Sequence, residues 1–156
     1  MKLENRIFSA LMTVPFLLAI AAIIFLPAEV AVHWNALGEA DSYGSKFIYL
    51  ILPILTGFMG LFLKSVFKAQ KASEEQKTSR EGVFGINIGT LVYFNLMEIV
   101  FIAGAYCGAK GIPIPSWLGI NQGLLISGVI AVISGVESWK WEQNRIRKNK
   151  KNKWLD

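Results

Sequence analysis

Ile7-Phe8-Ser9-Ala10-Leu11-Met12-Thr13-Val14-Pro15-Phe16-Leu17-Leu18-Ala19-Ile20-Ala21-Ala22-Ile23-Ile24-Phe25-Leu26 is a run without a single charge. As a helix, about 20 such residues cover about 30 Å, the thickness of a bilayer's hydrocarbon core. Lys2 and Arg6 precede it in the manner of a signal peptide. The apolar run is longer than a signal's, however, and no small-residue cleavage site follows, so it reads as an uncleaved anchor. Pro15 falls inside it and predicts a kink, which neighbouring helices can accommodate in a membrane.

Three further runs follow the same logic. Residues 47–63 form a short span carrying Pro53, residues 83–109 a long one, and residues 114–136 a fourth, opened by Ile112-Pro113-Ile114-Pro115. Trp117 at one end of the fourth span and Trp139 with Trp141 at the other fit the aromatic belts of the two interfaces. The reading is an all-α integral membrane protein, a four-helix bundle in one domain.

Composition agrees: 53% of the 156 residues are hydrophobic and 17% are charged. The net charge of +5 does not point to nucleic acid, because the basic residues cluster beside the apolar runs. The linker 64–82 holds Lys64, Lys68, Lys71, Lys77 and Arg80 and reads as a solvated cytoplasmic connection. The tail 140–156, with Lys140, Arg145, Arg147, Lys148, Lys150, Lys151 and Lys153, reads as a basic extension on anionic lipid or without order. With both termini inside, about fourteen basic residues lie in the cytoplasm and only Lys46 and Lys110 outside, so the positive-inside rule sets N-in, C-in. Cys107, the sole cysteine, excludes an intrachain disulfide and reads as packing. Gly85-x-x-x-Gly89, Gly104-x-x-x-Gly108 and Gly119-x-x-x-Gly123 predict close packing of the third span on the fourth.

Residues 27–46 join the first two spans on the outer side and carry the most chemistry: Pro27, His33-Trp34-Asn35, Gly38-Glu39, Asp41 and Tyr43-Gly44-Ser45-Lys46. A connection of about 20 residues is usually functional or disordered, and the aromatics and glycines here favour a structured loop. Asp41 is expected to pair with Lys46, and Gly38 and Gly44 to make turns. Read blandly, His33 and Trp34 anchor the loop at the interface while Asn35 and Asp41 form turns; read functionally, the loop binds a ligand or partner. His33 with Glu39 or Asp41 is a weak basis for a metal site, since one histidine brings no fixed ligand spacing.

The pattern resembles the N-terminal membrane domain of SdpI-type bacterial immunity proteins. It departs from it at Val30-Ala31-Val32 and at Ala40, where members often carry prolines. The resemblance implies a multi-pass protein of the bacterial cell membrane that binds a secreted toxin peptide, envelope component or small ligand at its outer face. It also implies a role in immunity or signal relay, with a cytoplasmic regulator as a further partner. The chain lacks the additional C-terminal membrane domain of the full-length immunity proteins, so the likeness reaches the domain family before it reaches immunity.

The third span holds one acid, Glu98. A carboxylate at that depth costs several kcal/mol unless it is protonated, hydrated or partnered. Asn87, Leu91, Asn95, Glu98 and Ile102 share one helical face, which should turn to protein. Depth along the helices suggests that Asn95 and Glu98 meet Asn121 and Gln122 of the fourth span in an outward-opening polar pocket under the loop. The bland alternative is hydrogen bonding for assembly alone. No Ser/His/Asp set, paired acids or zinc motif is visible, so the expectation is a non-enzymatic protein without cofactor, in contact with lipid and open to homo-oligomers. The alternative is a small transporter or transporter subunit with Glu98 as its proton- or cation-linked site.

Overall fold

The computed structural model describes residues 3–72, 77–114 and 119–152. In chain order these form α1 (Leu3–Phe25), β1 (Glu29–Trp34), β2 (Ala40–Ser45), a 3-10 turn (Lys46–Leu50), α2 (Ile51–Ala72), α3 (Lys77–Lys110) and α4 (Ile120–Asn152). All four α-helices are long and apolar enough to cross a membrane. The chain is a multi-pass membrane protein built as an all-α bundle.

Its surface is inverted relative to a protein in water. Leu17, Ile24, Phe58, Leu125 and Val132 are exposed, while Thr56, Asn87, Asn95, Glu98 and Ser127 are buried. Lipid solvates the outward apolar groups, and the inward polar ones must find partners in the protein. α1, α2 and α3 pack on one another, and α4 lies along α3 in the most extensive contact of the fold. That contact is between backbones: a Cβ at Gly85 would stand 2.5 Å from the Gly135 carbonyl oxygen, and one at Gly89 2.8 Å from that of Ala131. The first of the three glycine pairs thus makes the predicted α3–α4 approach. Gly104 and Gly123 meet side chains, of Ile120 and Val100, and Gly108 meets nothing.

Side-chain amides secure the other face of α3. Pro15 has no N–H, so the Leu11 carbonyl one turn earlier loses its helical donor. Asn95 Nδ2 supplies the missing bond at 2.9 Å. Asn87 Nδ2 likewise donates to Leu63 O of α2 at 3.2 Å.

Helix limits differ from the hydropathy reading in instructive places. α3 ends in a Schellman cap, with Gly111 at φ 63°, its N–H bonded to Gly108 O and that of Ile112 to Cys107 O. Pro113 holds Ile112 before it out of the helical region, and α4 starts at Ile120 rather than at residue 114, with residues 115–118 outside the described residues. At its other end α4 continues through most of the basic tail, expected either on anionic lipid or without order, to Asn152, about 50 Å of helix in all. Glu142, fully buried, accepts from Arg145 at 2.7 Å, and Arg145 lies over the Trp141 ring, which packs beside Phe84. The linker 64–82 is mostly helical too, since α2 reaches Ala72 and α3 begins at Lys77. Residues 73–76 of that linker, Trp117 and the end of the tail lie outside the described residues.

Candidate functional site

The connection between α1 and α2 is a β-hairpin lying against the bundle. β1 and β2 pair antiparallel, with Val30 opposite Gly44 and Ala31 opposite Tyr43, and the register slips on both sides of His33. Bulges of this kind re-aim side chains, and here Val30 and Ala31 are both buried while His33 faces outward.

Asn35 organises the turn. Its Oδ1 accepts from the N–H of Leu37 and of Glu39, and its Nδ2 donates to Glu39 Oε2. Gly38 adopts φ 84°, which a Cβ would oppose, and its N–H closes on Asn35 O. At the base, Ser45 Oγ accepts from Phe47 N at the start of the 3-10 turn. Lys46 N bonds to Ala28 O, and Lys46 Nζ reaches back to Leu26 O just past the C-terminus of α1. A cation there meets the negative end of the helix and an otherwise orphaned carbonyl. Lys46 is therefore not the partner of Asp41: Asp41 Oδ1 instead meets His33 Nδ1 at 2.5 Å across the strands. Gly44 sits within β2 and makes no turn, and a Cβ on it would press on Val32 at 3.3 Å.

Three attachments fix the hairpin to the helices. Trp34 stacks on Phe101 of α3, ring centroids 5.4 Å apart and planes 21° from parallel. The Tyr49 hydroxyl lies 3.1 Å from Ala31 O and 3.3 Å from Phe101 O, so one buried donor serves both strand and helix. Asn121 Nδ2 in the first turn of α4 donates to Ala36 O at the hairpin tip, 2.7 Å away. Other hairpin side chains stay exposed: Leu37 at the tip is 83% and Tyr43 of β2 61% exposed, and His33, Asp41 and Ser42 are exposed as well.

The expected polar cluster does not assemble. Gly123 packs on Val100, so the first turn of α4 lies within about one turn of Glu98, but Asn121 is taken by Ala36 O at the hairpin tip and Gln122 is exposed. Asn87 and Asn95 staple helices. The stripe does turn to protein, with Asn87, Leu91, Asn95 and Glu98 all buried. The cavities beside this part of α3 have mostly apolar walls of Ile99, Ala103 and their neighbours, with Tyr106 and Lys110 at the edge of one of them, rather than the expected polar lining. His33 and Asp41 are engaged with each other and Glu39 with Asn35, and among the described residues no three acids, cysteines or histidines gather around one point.

Residues 10–57 match the model of a family described as a domain of unknown function (DUF1648). The match takes in most of α1, the whole hairpin and the first turns of α2. No curated protein and no solved structure matches the chain. Tyr49 and Phe101 were not singled out in the sequence. Tyr49 offered a weak signal, a hydroxyl in an apolar run directly after the motif; Phe101 offered none, being one aromatic among many.

Proposed function

We propose that this protein is a non-enzymatic binding protein of the bacterial cell membrane that uses the hairpin as its outer recognition surface. The class of function is that of SdpI-type immunity proteins: protection against a secreted toxin peptide or envelope component, or relay of its arrival. The observation that carries the reading is the division of labour within the hairpin. Trp34, Ala31 and Ala36 are committed to α3, Tyr49 and α4, which leaves the side chains of Leu37, Tyr43, His33 and Asp41 exposed on an anchored hairpin. Exposed apolar side chains interspersed with polar ones, held by a pre-ordered backbone, suit binding because little ordering entropy remains to be lost. The same attachments give a contact to helices that cross the membrane, so occupancy of the hairpin has a path inward.

The test is deletion of the gene in its host, followed by challenge with that strain's own secreted peptides and with envelope-active peptides. Survival should fall, and should return with the wild-type chain but not with a Leu37→Asp, Tyr43→Ala chain that still reaches the membrane. Unchanged survival across the panel removes the protective reading.

A further inference from the structure

At the centre of the bundle is a group that the hairpin reading does not use. Glu98 is fully buried at the midpoint of the α3 span, and neither carboxyl oxygen has a hydrogen-bond partner among the described residues. Thr56, fully buried at the midpoint of the α2 span, likewise has no partner for its Oγ1.

Hydrogen bonds on either side give their relative height. Tyr49 meets Phe101 and Leu63 meets Asn87, and equal stretches of chain, 49 to 63 and 87 to 101, separate the two contacts. Thr56, halfway along, is therefore level with Phe94, about one turn from Glu98. The Asn95–Leu11 bond likewise sets α1, so that fully buried Pro15 stands about one residue from the level of Glu98.

Among the described residues the charges on the packed helices lie away from this level, and the His33–Asp41 pair of the hairpin faces solvent. Arg6 and Lys64 lie toward one end of the spans, Lys46 and Lys110 toward the other, and Glu137 near the basic end of α4. Of the nearer titratable groups, the Tyr49 hydroxyl is committed to two carbonyls and Tyr93 lies toward Gly128 of α4. Among the described residues no side-chain cation is at hand to neutralise an ionised Glu98, and leaving it unpaired in such surroundings costs several kcal/mol. A divalent ion calls for six or more oxygens and usually several carboxylates, whereas a proton needs one oxygen.

We propose that Glu98 is a proton-binding site at the bundle centre, loaded and unloaded by movement of α1 about Pro15. At that point the α1 backbone lacks its own hydrogen bond and is held by the Asn95 amide, so the break and the site share one level. The inference stands apart from the hairpin reading, and each can fail alone.

The experiment is modification of the purified full chain in detergent with dicyclohexylcarbodiimide, an apolar reagent that attacks protonated carboxyl groups, followed by peptide mass mapping. Glu98 should be the principal target, and its rate of modification should fall by about tenfold or more between about pH 5 and about pH 9. Asn95→Ala should raise that rate by freeing α1, and Glu98→Gln should remove the label. A rate independent of pH makes Glu98 a permanently neutral packing group and overturns the proposal. So does protection by sodium at fixed pH, which assigns the site to an alkali cation. The pH profile is read on the wild-type chain and stands even if Glu98→Gln does not fold.

Discussion

At the hairpin, Asn35 makes three hydrogen bonds within five residues and Tyr49 bridges strand to helix, while at the bundle centre Glu98 and Thr56 are more deeply buried and make none. The hairpin lies where water competes for polar groups, yet Asn35 is engaged in shaping its backbone and Tyr49 in holding it to the bundle. The centre lies where an unsatisfied polar group costs most, and there two are left open. Saturated polar groups are explained by structure; unsaturated ones at a position of high cost point to a ligand. Asn95 belongs to the first class although it neighbours the second, because it repairs the backbone at Pro15.

The contrast can be broken from either side. Asn95→Leu should have the largest effect, about 2–3 kcal/mol, since it strands the Leu11 carbonyl in apolar surroundings. Thermal unfolding in detergent measures it, and the Pro15→Ala background should recover much of the loss by restoring the helical N–H; a loss equal in both backgrounds would show that Asn95 does something other than replace that bond. Tyr49→Phe should cost about 1 kcal/mol and speed hydrogen exchange in β1. Exchange unchanged at Ala31 and Val32 would mean that Tyr49 does not hold the hairpin. Thr56→Val should lie within about 0.5 kcal/mol of wild type, because no protein hydrogen bond is lost. A cost matching that of Tyr49→Phe would move Thr56 into the saturated class. His33→Ala should be smallest of all, a few tenths of a kcal/mol, because the His33–Asp41 pair faces solvent.

The site was partly legible. Residues 27–46 stood out as a structured loop, and Asn87, Asn95 and Glu98 as a stripe turned to protein, because local spacing and composition decide both. The strands were not legible. Bulges at His33 break the alternation that would mark β1, and Ala40-Asp41-Ser42-Tyr43-Gly44-Ser45 has little strand preference. The partner of Asn121 was not legible either, because hydropathy places it near Glu98 in height but says nothing of the hairpin tip whose Ala36 carbonyl it meets.

From the sequence alone came the four crossings, the expected orientation and the glycine contact between α3 and α4. These follow from the balance of apolar length against lipid thickness and from local spacing, and both are properties of neighbouring residues. Tertiary structure decided that Asn95 serves Leu11, that Asn121 serves Ala36 and that Glu98 serves neither. Those partners are some 85 residues apart along the chain, and only packing against glycine, proline and a docked hairpin determines which polar group each carbonyl meets.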